Sequence, residues 1–208
     1  LNDCLTDLES DHVYESDCRQ SVWAALRAQV VGLDPRSQSV LDYLSVMNAE
    51  KVPASVVKTL VANPSEYKLA IKQLQDRALV QVDPISGNLT TCRLLQFNVR
   101  ERARKDGRLG GILALVGNVL NKAVNDGIRL NGVHSHSVDK FVPHLQALVN
   151  VEWPEATPLL GNLMHTLGVV FDSGAEYDDA IQAYKAALTI RKALLGNDHP
   201  DCAQTRNS

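Results

Sequence analysis

The chain has 208 residues, 45% of them hydrophobic, and a formal charge of -3 at neutral pH. That apolar content supports packed cores and excludes global disorder, and the small net charge gives no overall drive toward nucleic acid or anionic lipid. The length allows one large or two small domains.

No apolar run is long enough to span a bilayer, and no basic-then-apolar leader opens the chain. Its cysteines, Cys4, Cys18, Cys92 and Cys202, have no paired spacing. This disfavours a disulfide framework or a zinc site and predicts a reducing, cytoplasmic setting.

Residues 1–20 read as an acidic linker around Asp7, Glu9, Asp11, Glu15 and Asp17. A helix is predicted from Ser21 to about Val31, with Val22, Ala25, Leu26 and Val30 inward. Asp34-Pro35 restarts the chain as an N-cap followed by the residue that tolerates the first helical position. Val40, Leu41, Leu44 and Met47 then recur at helical spacing. Pro53 opens a helix carrying Val56, Val57 and Leu60. Asn63-Pro64-Ser65-Glu66 has the form of a capping box and launches a helix with Leu69, Ala70, Gln73 and Leu74.

The pattern then changes. Ala78–Val82 is β-prone, Asp83–Asn88 is rich in turn residues, and Leu89–Cys92 can return as a second strand. A charged helix follows from near Leu94 through Lys105, ended by Gly107. Residues 109–125 form an amphipathic helix with Ile112, Leu115, Val116, Val119, Leu120 and Ala123 on one face. Residues 126–136 read as a loop, and Ser137 caps a helix carrying Phe141, Leu145, Leu148 and Val149. Trp153-Pro154 through Pro158 breaks that helix. Two further helices are predicted at 159–173 and 176–195, with Gly196 closing the second and His199-Pro200 opening the next.

In that last pair, small residues stand where two helices touch: Gly168, Ala180 and Ala187. Leu163, Leu167, Phe171, Tyr177, Tyr184 and Leu188 fill the space between. The pair resembles a tetratricopeptide (TPR) unit, which cannot bury its own apolar face and must stack on neighbours. The long second helix followed by Leu195-Gly196-Asn197-Asp198-His199-Pro200-Asp201 is similar to the kinesin-light-chain-like variant.

Two upstream blocks widen the resemblance. They are SVWAALRAQVVGLDPRSQSVLDYLSVMNAEKVPASVV and AIKQLQDRALVQVDPISGNLTTCRLLQFNVRERARKDGR. With FVPHLQALV and the TPR unit, they resemble the stretch behind the nucleotide-binding domain in NB-ARC/TPR proteins of the STAND, or NOD-like receptor, class. The resemblance implies a mainly α chain: a linker at 1–20, a winged-helix domain with one small β-hairpin at 21–108, a helical connector at 109–158, and a truncated TPR unit at 159–208 that starts an α-solenoid. The start at Leu1 and the end within a repeat fit a piece of a longer protein.

The function so implied is non-catalytic: a segment coupling a TPR sensor array to a nucleotide-binding switch. ATP or ADP would be held only in an upstream domain, which would be one partner, with a protein or peptide in the TPR groove as another. This chain departs from the family twice. A Met-His pair ending the returning strand is replaced by Thr91-Cys92, and Gly174-Ala175-Glu176-Tyr177 is one residue longer than the usual Gly-x-Tyr turn.

The chain has no Gly-rich phosphate loop with Gly-Lys-Ser/Thr, so ATP hydrolysis is not expected of it. Gly107-Arg108-Leu109-Gly110-Gly111 lacks the lysine and reads as a turn between helices. His134 and His136 lack a third ligand at metal-binding spacing and read as an exposed loop. His144, Trp23 and Trp153 read as packing residues.

The basic run of Arg93, Arg100, Arg102, Arg104, Lys105 and Arg108 follows the hairpin. Cys92, Arg93, Arg100, Arg104 and Lys105 are the candidate domain-docking face. The alternative is a winged-helix DNA-binding regulator that grips phosphates with this run. Against it, the helix before the hairpin offers Glu66, Lys68, Lys72 and Asp76 and no Arg/Asn base-reading set. In TPR register, Asn162, His165, Val169 and Asp172 are the candidate groove residues for a protein partner.

Overall fold

A computed structural model describes residues 26, 28–133 and 135–207. The linker 1–20, the start of the first predicted helix with Val22, Trp23 and Ala25, and His134 lie outside the described residues, as do Cys4 and Cys18. The described chain is mainly helical with one small antiparallel sheet.

Helix starts follow the capping chemistry of the sequence. Helix α1 (Pro35–Ser45) begins where the Asp34 carboxylate accepts from the Ser37 N–H at 2.8 Å. Helix α2 (Ala54–Val61) starts after Pro53. Helix α3 (Pro64–Asp76) starts where Asn63 Oδ1 accepts from the Ser65 and Glu66 N–H groups at 3.0 and 3.4 Å. Upstream, the first helix is described only at Leu26 and 28–30. Arg77 closes it by donating to the carbonyls of Gln29, Val31 and Gly32, a cation where the helix dipole favours one.

Strands β1 (Val80–Val82) and β2 (Leu89–Thr91) pair with Val80 opposite Thr91 and Val82 opposite Leu89. Leu89 also exchanges both backbone hydrogen bonds with Val52, at 2.7 and 2.8 Å. Val52 therefore acts as a one-residue third strand on the other edge of β2. A single residue has no periodicity, so sequence reasoning missed it. The order is helix, bridge, two helices, hairpin, then helix α4 (Arg93–Lys105).

Helix α5 (Leu109–Asn131) runs past the expected end near 125 and takes in Gly127. That glycine was predicted to lie in a loop. A Cβ there would sit 2.9 Å from Val138 Cγ2, so the missing side chain lets the short helix α6 (His136–Asp139) lie against α5. The helix ends at Gly132, whose φ of +79 favours glycine. Ser137 does not cap a helix as predicted. Ser135 precedes α6, and Ser137 Oγ instead meets Ser135 Oγ at 2.6 Å and accepts from Asn131 Nδ2 at 3.1 Å.

Helix α7 (Val142–Val149) buries Leu145 and Leu148, and Phe141 is buried just before it. Helices α8 (Pro158–Ser173), α9 (Tyr177–Leu195) and α10 (Pro200–Asn207) complete the chain. Trp153 packs after α7 and donates its indole N–H to the Leu148 carbonyl at 3.2 Å.

One apolar core runs from Val40 in α1 to Ala183 in α9. Its joint is Gly117 in α5, where a Cβ would meet Leu159, Leu163 and Leu148 at 3.2–3.4 Å. The bare backbone there lets α8 lie close against α5. His144 makes a second tie: it is buried on α7, with Nε2 3.3 Å from the Lys51 carbonyl in the loop before α2. Burial pulls its pKa below the usual histidine value, so the neutral ring donates through Nε2.

Candidate protein-interaction surfaces

Two surfaces carry the candidate residues: the pair α8–α9 and the outer face of α4. Thr157 starts α8, its hydroxyl accepting from the Leu160 N–H at 3.2 Å. The pair interlocks at Gly168, where a Cβ would fall 2.5 Å from the Tyr184 ring. Ala180 and Ala187 are buried, as their small size at the helix contact predicted.

The turn between these helices differs in register rather than in spacing. The left-handed residue is Ala175, with φ of 60, while Gly174 has φ of -78. Ala175-Glu176-Tyr177 thus has the spacing of Gly-x-Tyr, with alanine in glycine's place.

The four groove candidates are not equally open. Asn162 Oδ1 accepts from Arg191 Nη2 at 2.8 Å. Arg191 is 4% exposed and also donates to the Asp201 carbonyl at 2.9 Å and to Thr205 Oγ1 at 2.6 Å. Asn162 is therefore committed to the joint of α8, α9 and α10. The His165 ring lies 5.5 Å from the Tyr184 ring, and its Nδ1 is buried without a hydrogen-bond partner. Burial, then the Arg191 charge, hold its pKa below the usual value against the opposing Asp201 carboxylate. Val169 is half-buried and Asp172 is exposed. Arg191 is the residue that sequence reasoning missed. An arginine near a helix end reads as solvated, and only the packing of α10 shows it buried.

On α4, Arg93, Phe97, Arg100 and Arg104 recur at spacings of four, three and four and share one face. They line an open cleft of about 520 Å³ between the end of α1, α4 and the end of α7. Its charges are partly matched. Arg104 pairs with Glu101 and, at 3.3 Å, with Glu152. Arg100 donates to the Ser45 carbonyl at the end of α1, and burial lowers its pKa. It is thus a structural tie between helices, not the freely solvated charge the docking face implied. Cys92 is half-buried at the N-cap of α4 and makes no side-chain capping bond. Arg93 and Lys105 are exposed.

Polar contacts fasten α4 and the turn that follows it to α1. The Gln96 amide donates to the Leu44 and Met47 carbonyls at 2.6 and 2.9 Å. Arg108 pairs with the buried Asp42 carboxylate, whose pKa burial nevertheless raises. Gly107, with φ of +69, forms the turn into α5. His136 is exposed, and among the described residues no three potential ligands come together around a metal position.

The comparison that decides the C-terminal part is a family match. Residues 160–201 match the tetratricopeptide repeat. The match spans α8, α9 and the opening of α10, the elements that Gly168 and Arg191 lock together. Tetratricopeptide repeats generally mediate protein–protein interaction. No curated protein and no solved structure matches the chain.

Proposed function

We propose that this chain is a non-catalytic regulatory segment that couples a tetratricopeptide-repeat array to a nucleotide-binding switch of the STAND class. The observation that carries this reading is the shared core. The repeat is not hung on a linker but packed through Gly117 onto α5, which packs on α2. Displacement of α8 is therefore passed into the first module, because close-packed interiors transmit strain.

The order of helix, bridging strand, two helices, hairpin and helix supports a winged-helix reading of residues 21–108, with a connector at 109–158 and the repeat unit from 159. In this reading the exposed Arg93 and Lys105 dock on an upstream nucleotide-binding domain, which alone holds ATP or ADP. The repeat's accessible groove side, at Val169 and Asp172, meets the protein partner. The setting is cytoplasmic; among the described residues no helix is long and apolar enough to cross a membrane. DNA binding is the weaker alternative, since Arg100 is tied to Ser45 and Arg104 to two carboxylates.

The test is release of fluorescent ADP from a longer protein containing this segment. Arg93→Glu combined with Lys105→Glu should change the release rate several-fold, while the isolated chain binds neither ATP nor duplex DNA tightly. An unchanged rate, or micromolar ATP affinity of the isolated chain by calorimetry, overturns the proposal.

A further inference from the structure

The corner between α5 and α6 holds a reactive pair that neither the repeat nor the α4 face uses. Asn131-Gly132 is the single Asn-Gly step of the chain. Both residues are exposed, and a Cβ on Gly132 would meet nothing within 4 Å among the described residues. The φ of +79 that ends α5 calls for glycine here. The amide nitrogen that follows Asn131 therefore has no side chain to shield it.

The Asn131 amide is also held at its other end. Its Nδ2 donates to Ser137 Oγ at 3.1 Å, and Ser137 Oγ lies 2.6 Å from Ser135 Oγ. A hydroxyl thus touches the atom that must leave if the side-chain carbonyl is attacked, within the reach of about 2.6–3.2 Å at which a general acid acts. A hydroxyl both accepts and donates. Ser137 accepts from the planar amide, and it donates to the same nitrogen once attack has made that nitrogen an amine.

We infer that Asn131-Gly132 is a self-modification site, at which the chain converts this asparagine to a mixture of aspartate and isoaspartate. The Gly132 nitrogen loses its proton to hydroxide and bonds to Asn131 Cγ. Ser137 gives its proton to Nδ2, the Cγ–Nδ2 bond breaks, and ammonia leaves behind a cyclic imide. Water returns the Ser137 proton and opens the imide at either carbonyl, so nothing is oxidised or reduced. The site is independent of the STAND reading.

The helix end gates the reaction. The Gly132 N–H donates to the Ile128 carbonyl at 3.0 Å, and that bond must open before the nitrogen can turn toward Asn131. It closes the last turn of α5, and helix ends open far more readily than helix interiors. Asn125, inside the same helix, keeps its amide on the Asn121 carbonyl at 2.8 Å and is spared. Conversion places a carboxylate at the C-terminus of α5, where the helix dipole disfavours negative charge. Isoaspartate also lengthens the main chain at the turn into α6, which loosens the seat of Val138 on Gly127.

The test incubates the full chain at mildly alkaline pH and follows the peptide that trypsin releases between Arg129 and Lys140. Mass spectrometry should show exchange of the amide for an acid at Asn131, in two separable products, faster as pH rises and without change at Asn125. Asn131→Gln should give no product. Ser137→Ala should slow the reaction several-fold, and Ser137→Thr, which keeps the hydroxyl, should restore it. No conversion overturns the inference. Aspartate as the single product overturns it too, because direct hydrolysis by water forms no isoaspartate. A rate unchanged or raised by Ser137→Ala overturns the role given to the serine.

Discussion

The module of α1–α4 and the α8–α10 repeat hold themselves together by different means. The first is closed by polar groups that reach backbone: Gln96 to two carbonyls of the α1 end, Arg100 to Ser45, and Val52 to β2. Each bond specifies one partner, so this module is fixed as a unit. The α8–α9 contact is held mainly by shape, with the Tyr184 ring against Gly168 and Ala180 and Ala187 buried between helices, and Arg191 adds specific bonds where α10 joins it. It also leaves Tyr177, Ile181 and Leu194 exposed along α9. A surface built on volume rather than on specific bonds can be repeated. One built on specific bonds ends where its partners end.

The largest expected effect tests the shape side of this contrast. Gly168→Leu must displace the Tyr184 ring and should cost about 1–3 kcal/mol or more, as overpacking does. Amide hydrogen exchange should quicken in α8 and α9 while α1–α4 stays protected. Equal loss of protection in both regions would show that they are one cooperative unit, and no loss would mean that Tyr184 does not pack on Gly168.

A middle-sized effect concerns the joint between the regions. His144 is held neutral by burial, so the unfolded chain binds a proton that the folded chain resists. Stability is full above the ordinary histidine value of about 6.5 and falls as pH drops below it toward the lower folded value. His165 adds to the slope with the same sign. Urea unfolding at stepwise lower pH should show the decline, and His144→Gln should flatten it. A slope unaltered by that substitution removes His144 from the account.

The smallest effect lies in the repeat's turn. Ala175→Gly relieves a left-handed alanine but adds freedom to the unfolded chain, for a net gain of about 0.5 kcal/mol. Thermal unfolding should shift slightly upward. A downward shift would mean that Ala175 does not adopt the left-handed conformation.

These residues also show where the sequence could be read and where it could not. Caps at Asp34 and Asn63 and the small residues at 168, 180 and 187 act locally or at fixed spacing, so helices and repeat were legible. Gly127 was misplaced because a glycine near an asparagine reads as a loop. Its reason to be helical is Val138, which approaches only after folding. The candidate site was less legible still. Register alone put Asn162 and His165 toward a groove, yet the charge that engages Asn162 lies a helix away at Arg191. Likewise, the run of arginines on α4 does not reveal which of them is already tied to a carbonyl.

Arg191 changes where one repeat ends. Its buried guanidinium donates to Asn162, to the Asp201 carbonyl and to the Thr205 hydroxyl, the last two in α10, while its Nε is buried without a hydrogen-bond partner. Hydrogen bonds to a charged group contribute about 1.5–3 kcal/mol each. A chain cut at Gly196, where α9 stops, would lose two of those three acceptors together with the helix that covers the cation. By backbone geometry the repeat closes at the glycine, but by its hydrogen bonds it extends through Thr205.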